Sequence, residues 1–228
     1  AMDIAKNLQQ VRAELPQGVR LVAVSKFHPA EAILEAYRAG QRLFGESKAQ
    51  ELQAKHEALP RDIEWHFIGH LQTNKVKYIV PYVALIHSID SPHLLAEVDR
   101  QAAKAGRATV DCLLQVHIAA EETKFGFTPD ECRQYLASGE WKPLEHVRLC
   151  GLMGMATNTD DMQQVQKEFQ GLARLFREVR DEWFATSPWF KELSMGMSHD
   201  YHEAIAAGST LVRVGSHIFG ERNYNINP

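Results

Sequence analysis

The chain has 228 residues, of which 45% are hydrophobic and 24% charged, a balance that fits one soluble globular domain over residues 1–228. Its net charge of −4 lacks the basic excess that binding to nucleic acid or to an anionic membrane surface requires. No apolar stretch is long enough to span a membrane and no signal-peptide pattern is present, so we expect neither insertion nor export. The three cysteines form no CxxC pair, which argues against a disulfide framework or a zinc knuckle and favours reduced thiols in the cytoplasm.

Short apolar runs predict eight β-strands, and amphipathic segments between them predict helices. The predicted strands are Arg20–Val24, Arg42–Phe44, Glu64–Ile68, Val83–Ile86, Val110–Ile118, His146–Met153, Glu192–Met195 and Thr210–Val214. The predicted helices are Asp3–Leu15, Ala30–Ala39, Lys48–Leu59, Thr73–Val80, Pro92–Ala105, Pro129–Ser138, Asp160–Trp183 and Tyr201–Ala207. Typical helix-start signals occur at Ser91-Pro92, at Thr128-Pro129 and at the acidic pair Asp160-Asp161.

The repeated order of strand and helix predicts parallel strands, and the length is close to that of a (β/α)₈ TIM barrel. An open doubly wound sheet is the alternative. No GxGxxG motif follows the first strand, where a dinucleotide-binding fold carries it, so the barrel is favoured. Barrels place their chemistry at the C-terminal ends of the strands, and polar residues at those positions are therefore the functional candidates.

Lys26 is the first of these candidates, because it ends the apolar run of the first strand. An exposed lysine at a strand end is the simpler interpretation, since lysine is rarely fully buried. The functional interpretation is a lysine at the mouth of the barrel. Apolar surroundings there would lower the pKa of the ammonium group and leave a neutral, nucleophilic amine.

Two glycine–serine turns follow the last two predicted strands, one with Gly196 and Ser198 and one with Gly215 and Ser216. Barrels commonly bind phosphate at this place through backbone N–H groups. The alternatives are ordinary strand-to-loop turns and, for Ser198, capping of the next helix. Arg213 interrupts the last apolar run and needs a partner to offset its desolvation: a bound anion, a ring nitrogen or an internal salt bridge.

The run Trp65–Lys75 places a dense group of polar and aromatic residues at the end of the third strand. His66 and His70 are zinc-binding residue types, but no third ligand stands at a suitable spacing. A histidine is more often a hydrogen-bonded structural residue than a metal ligand, and we therefore expect no metal site.

Five segments together resemble the pyridoxal phosphate homeostasis proteins, the YggS-like family, in colinear order over nearly the whole chain. They are Ser25-Lys26, Phe44-Gly45-Glu46, Trp65–Lys75, Ser194–Ser198 and Arg213–Ser216. The resemblance implies the barrel of the alanine racemase N-terminal domain, which is fold type III of the proteins that bind pyridoxal 5′-phosphate (PLP). It also implies that Lys26 holds PLP as a Schiff base.

By the same resemblance, Ser198, Gly215 and Ser216 bind the phosphate and Arg213 faces the pyridine nitrogen. The further cofactor contacts that it suggests are His66, Met195, Gly196 and Ser47. Two positions depart from the family pattern, since Ser47 and His117 stand where relatives commonly have asparagine. His117 is a candidate proton shuttle, and Lys124 is either a secondary PLP contact or a solvated loop lysine.

The implied function is intracellular PLP homeostasis by a monomeric carrier, buffer or regulator that supplies apo PLP-dependent enzymes. Arg213 would keep the pyridine nitrogen unprotonated, which makes the ring a weaker electron acceptor. The chain also ends at Pro228 without the C-terminal β-domain of alanine racemase. We therefore expect a PLP-binding regulator without established enzymatic turnover. A low-activity single-domain amino-acid racemase is one alternative. A barrel that binds another phosphorylated metabolite without a Schiff base is the other.

Overall fold

The computed structural model describes residues 2–122 and 125–221, and in this part of the chain eight parallel strands close into a barrel. Each strand pairs with the next along the chain, and the last pairs with the first, where Leu21 lies opposite Val212. The predicted (β/α)₈ barrel is therefore confirmed. The strands are β1 Arg20–Val24, β2 Leu43–Glu46, β3 Glu64–Phe67, β4 Leu85–Ile89, β5 Val110–Gln115, β6 Val147–Met153, β7 Glu192–Ser194 and β8 Leu211–Val214.

The helices largely follow the predicted segments. They are α1 Ile4–Ala13, α2 Ala30–Arg38, α3 Ala49–Ala58, α4 Pro92–Lys104, α5 Pro129–Ser138, α6 Met162–Trp183, α7 Tyr201–Ala207 and α8 Ser216–Phe219. The segment between β3 and β4 differs, because it forms a 3₁₀ helix over Thr73–Tyr78. The predicted helix starts are confirmed, since the side chains of Ser91, Thr128 and Asp161 each accept a backbone N–H of the first turn.

Alternation along the strands sends one set of side chains into the barrel and the other set toward the helices. Outward residues such as Phe44, Trp65 and Phe67 are buried in the large core between the strands and the helices. The inward residues form a smaller apolar cluster that includes Val22, Leu43, Leu85, Leu113, Cys150, Met153 and Leu211. The core thus has two layers, one on each side of the strands.

Three strands differ from the predictions by two or more residues at an end. Strand β2 continues to Glu46, and β4 is shifted to Leu85–Ile89 so that it includes His87 and Ser88. Polar residues such as Glu46, His87 and Ser88 are typical of strand ends in a sequence, yet all three are buried here. Strand β5 ends at Gln115, because the His117 N–H donates to the Phe127 carbonyl at 2.7 Å and the chain leaves the sheet.

None of the described helices combines the length and the apolar character needed to cross a membrane. Within residues 2–122 and 125–221, no group of three or more histidine, cysteine or acidic side chains is arranged to hold a metal ion. The three cysteines are buried and none of them forms a disulfide.

Candidate functional site

A cavity of about 1310 Å³ opens at the C-terminal ends of the strands, where the barrel fold places its chemistry. Its wall includes Lys26 after β1, Ser47 after β2 and Arg213 on β8. These three candidates come from well-separated parts of the sequence. The closure of the barrel brings them to one face of the molecule.

Lys26 reaches this cavity because the alternation of β1 continues beyond its last residue. Ser25 points outward and is fully buried, while its N–H extends the sheet ladder to the Gly45 carbonyl at 3.0 Å. Lys26 therefore points inward and lines the cavity. The next residue, Phe27, has a φ of 66°, a left-handed conformation that is uncommon for a residue with a side chain.

A cluster of charged side chains lies between β2 and α3, directly behind Lys26. We call Ser25, Glu46, Glu51 and Lys55 the outer cluster. The Lys55 ammonium contacts Glu46 at 3.0 Å and Glu51 at 2.7 Å, and it donates to the Ser25 carbonyl at 2.9 Å. The Ser25 hydroxyl donates to Glu46, and Glu51 accepts the Phe27 N–H at 2.8 Å. The cluster therefore holds the backbone on both sides of Lys26.

Burial dominates the electrostatics of this cluster. Glu46 has no exposed surface, and desolvation raises the pKa of its carboxyl to about 7, although the neighbouring Lys55 ammonium and the Ser25 hydroxyl act in the opposite direction. A carboxyl with such a pKa changes its charge near neutral pH. Within the outer cluster, Glu46 is consequently a group whose charge responds to pH in the neutral range.

Arg213 lies inside the barrel and is almost fully buried. One terminal nitrogen donates to the Ser194 hydroxyl, and the other donates to the Gly154 carbonyl at 3.2 Å. None of the ion pairs within the described residues includes Arg213. The internal salt bridge that the sequence left open for Arg213 is therefore not found in this part of the chain. Desolvation lowers the pKa of its guanidinium to about 10, and the buried Asp200 carboxyl partly opposes this shift.

The two glycine–serine turns contact each other at the edge of the cavity. The Gly215 N–H donates to the Ser198 hydroxyl at 3.2 Å, whereas the first turn of α7 receives no side-chain cap. Ser198 is therefore not the helix cap. A Cβ on Gly215 would stand 3.1 Å from the Val24 carbonyl oxygen, so the turn lies closely against the end of β1. Gly196 has a φ of 106°, the left-handed region that favours glycine.

Ser216 begins α8 immediately after this close approach. The N–H groups in the first turn of a helix have no acceptor within the helix and remain available to a ligand. Ser216 is exposed and Ser198 is half-buried, and the turns lie next to Met197 and Val24, which line the cavity. The arrangement offers hydroxyl and backbone donors to an anion.

Comparison with known proteins agrees with this geometry. The family model described as "Alanine racemase, N-terminal domain" matches residues 2–223. A curated relative from Aquifex aeolicus, "Pyridoxal phosphate homeostasis protein", is 41% identical over 90% of this chain and 88% of its own length. A relative of the same name from Schizosaccharomyces pombe is 39% identical over 94% of this chain and 91% of its own length.

The chain belongs to the pyridoxal phosphate homeostasis protein family. This membership confirms the resemblance seen in the sequence. Among solved structures, PipY of Synechococcus elongatus without PLP matches with a TM-score of 0.89 and 39% identity, over 96% of this chain and all of that one. The structure of PipY with PLP bound matches with a TM-score of 0.85 and 38% identity.

Alanine racemase of Clostridium difficile shares the fold of this family at only 13% identity, with a TM-score of 0.78. The match covers 97% of this chain but 57% of the racemase chain. At this level of identity the likeness concerns the fold alone. It confirms the prediction of a barrel like that of alanine racemase.

Three further sequence candidates, like Ser198, Gly215 and Ser216, are not among the residues that line the cavity. The His66 side chain is inside the barrel, where it contacts His87 and Glu64. The Met195 side chain belongs to the buried core, and Gly196 packs against α7. Their roles as cofactor contacts remain predictions. Lys124 lies outside the described residues.

His117, the other departure from the family pattern, hydrogen-bonds through Nε2 to the Ala119 carbonyl at 2.8 Å. Because a carbonyl only accepts, this nitrogen carries the proton. Ser47 follows β2 and lines the cavity, where it lies against Gly69: a Cβ on this glycine would stand 2.5 Å from that of Ser47.

Several residues that shape the site could not be assigned to it from the sequence. Gln115 lines the cavity from the end of β5, but its strand was predicted to continue past it. Glu51 and Lys55 have the spacing of an ordinary exposed ion pair on α3. His70 stacks on Phe125 at the cavity wall, with ring centroids 3.8 Å apart, and this contact joins distant parts of the chain.

Proposed function

We propose that this protein binds PLP at the C-terminal face of the barrel and serves intracellular PLP homeostasis as a carrier, buffer or regulator. The observation that carries the proposal is the placement of Lys26 and Arg213 on the wall of one cavity. The names of the curated relatives and the PLP-bound structure of PipY support it.

The residues present fit the parts of this cofactor. Lys26 supplies the amine that would hold PLP covalently. Ser198 and the turn at Gly215 and Ser216 would hold the phosphate, and the close approach of Gly215 to Val24 keeps that turn free of a side chain. When bound, PLP supplies an aldehyde that reacts with amines and a ring that can accept electrons.

Arg213 limits what the site does with that ring. A guanidinium donates hydrogen bonds and accepts none, so it would leave the pyridine nitrogen unprotonated. A carboxylate partner would instead stabilise a protonated ring and make it a stronger electron acceptor. This choice favours storage and transfer of PLP over carbanion chemistry.

The finer parts of the proposal rest on the sequence. The three cysteines, none of which forms a disulfide, favour a cytoplasmic protein. We also propose that it acts as a monomer and exchanges PLP with apo PLP-dependent enzymes. Sedimentation of the holoprotein tests the first statement, and reactivation of a separate apoenzyme tests the second.

Reduction with borohydride followed by mass spectrometry tests the attachment directly. The wild-type protein should carry one trapped PLP per chain on Lys26, and Lys26→Ala should lose it. Lys48→Ala is the matched control, because Lys48 lines the same cavity at an exposed position. A full adduct retained in Lys26→Ala would overturn the assignment, and peptide mapping would then examine Lys124 first.

A further inference from the structure

A series of hydrogen bonds crosses the interior of the barrel from one end to the other. The Glu64 carboxylate accepts from His66 Nε2 at 3.0 Å, His66 Nδ1 lies 2.8 Å from His87 Nε2, and His87 Nδ1 lies 2.8 Å from the Ser194 hydroxyl. Ser194 in turn accepts from Arg213. We call these five residues the interior network.

The network connects solvent to the cavity through a buried middle. Glu64 begins β3 at the N-terminal end of the barrel, and its side chain is 40% exposed beside Arg20. His66, His87 and Ser194 are at most 1% exposed. Arg213, at the other end, is buried and lines the cavity.

With neutral rings, the Glu64 end fixes which atom donates at every step. The Glu64 carboxylate only accepts, so the His66 proton is on Nε2 and His66 Nδ1 accepts from His87 Nε2. The proton of His87 is then on Nε2, and His87 Nδ1 accepts from the Ser194 O–H. The Ser194 oxygen accepts from Arg213, which has no acceptor atom.

Each imidazole in this arrangement has one donor and one acceptor, which is the pattern of two neutral rings. Desolvation acts in the same direction, because it lowers the pKa of His66 and lowers that of His87 well below the usual range. The charged groups that act on these rings are Glu64, Arg20 and Glu192 at the N-terminal end and Arg213 at the cavity.

We propose that His66, His87 and Ser194 are positioning residues: the two rings direct the Ser194 O–H toward His87, and the Ser194 oxygen, left as an acceptor, holds the Arg213 guanidinium in the cavity wall. Ser194 and the Gly154 carbonyl each occupy one terminal nitrogen. The remaining N–H groups are left for a ligand. The consequence for the PLP ring rests on the proposed function, whereas the proton positions do not.

Nitrogen-15 NMR of histidine side chains in PLP-free protein tests the proton positions. His66 and His87 should both be neutral with the proton on Nε2, and His87 should stay neutral at pH 5, where exposed histidines are charged. Single His66→Asn and His87→Asn variants assign the signals. A proton on His87 Nδ1, or a charged His87 ring at pH 7, would overturn the proposal whether or not PLP binds.

Ser194→Ala tests the link to Arg213, with Ser209→Ala as the matched control. Ser209 is also a buried serine, but its hydroxyl contacts the Leu193, Met195 and Leu211 carbonyls instead of Arg213. In PLP-free protein, Ser194→Ala should speed hydrogen exchange of the Arg213 side chain, because the guanidinium loses an acceptor. Ser209→Ala should leave that exchange unchanged.

In the holoprotein, Ser194→Ala should weaken PLP binding about tenfold or more, the effect expected for a hydrogen bond to a charged group, and should shift the absorbance of bound PLP. Equal exchange rates and equal affinities in Ser194→Ala and Ser209→Ala would contradict the positioning role. Failure of the wild-type protein to bind PLP would contradict the proposed function instead, and the NMR outcomes would still decide the present proposal.

Discussion

The cavity is flanked by two buried polar networks that differ in their charge. The interior network connects one carboxylate and one guanidinium, at opposite ends of the barrel, through three neutral side chains. The outer cluster instead brings two carboxylates and one ammonium group into direct contact. Lys26 lies between them. The outer cluster holds the backbone next to Lys26, and the interior network holds the side chain of Arg213.

The difference shows how burial decides whether a polar group titrates. A neutral imidazole with a partner for each nitrogen can be buried at small cost, and burial then keeps it neutral. Glu46 has both Ser25 and Lys55 as partners, yet desolvation still raises the pKa of its carboxyl to about 7. We therefore expect the outer cluster to respond to pH near neutrality and the interior network to remain constant.

Arg213→Glu should break the interior network most severely. It replaces the only donor at the cavity end with a carboxylate, and burial of that unpaired charge should destabilise the fold by several kcal/mol. In protein that remains folded, the carboxylate should stabilise a protonated pyridine nitrogen and change the absorbance of bound PLP. Urea unfolding and absorbance spectra measure the two effects.

Arg177→Glu provides the control for Arg213→Glu, because Arg177 is exposed on α6. Its stability and spectrum should match those of the wild-type protein. An unchanged spectrum in folded Arg213→Glu holoprotein would show that Arg213 does not face the ring.

Lys55→Met should break the outer cluster with the next largest effect. It removes the ammonium group that pairs with Glu46 and Glu51. We expect a loss of about 3 kcal/mol of unfolding free energy at pH 8, the lower end for a broken buried pair. Urea unfolding measures it, with Lys48→Met as an exposed control. A loss no larger than that of the control would show that the cluster does not hold charge at this pH.

The pH dependence separates this charge effect from lost packing. Burial raises the folded pKa of Glu46 to about 7 from its ordinary value of 4.5, so its contribution to stability is fully present below about pH 4.5 and is lost as pH rises through 7. Lys55→Met should raise the folded pKa further, because the favourable ammonium charge is gone. Its deficit relative to wild type should therefore be larger at pH 8 than at pH 5, and Glu46→Gln in the same variant should remove that difference.

The sequence predicts the two cavity residues, Lys26 and Arg213, better than it predicts the two networks that hold them. Lys26 and Arg213 could be identified as candidates because each sits in or ends an apolar run, which is a local pattern. The strand that carries His87 was misplaced, because a buried histidine inside a strand resembles a strand end. Its partner Ser194 is 107 residues away, and only the closed barrel brings them together.

The outer cluster was hidden for a different reason. Glu46, Glu51 and Lys55 are close in sequence, but charged residues at these positions ordinarily face solvent. What buries them is the packing of α3 over the end of β2, together with the outward turn of Ser25. No periodicity in the sequence distinguishes a charged residue beneath a helix from one on its surface.

The smallest expected effect is amino-acid turnover by the holoprotein. If the interior network holds Arg213 in the cavity wall, its guanidinium offers the ring nitrogen only hydrogen-bond donors and that nitrogen stays unprotonated. The ring is then a weak electron acceptor, so loss of the α-proton of alanine should be slow. His117, the candidate shuttle, donates its Nε2 proton to the Ala119 carbonyl. The absence of a general acid or base typically lowers the rate of a reaction about 10²- to 10⁴-fold. Incubation with D- and L-alanine in deuterated water, followed by α-proton exchange and optical rotation, should give a rate far below about 10 s⁻¹, the value of an ordinary enzyme. Racemisation at several turnovers per second that is absent in Lys26→Ala would favour the racemase over the carrier.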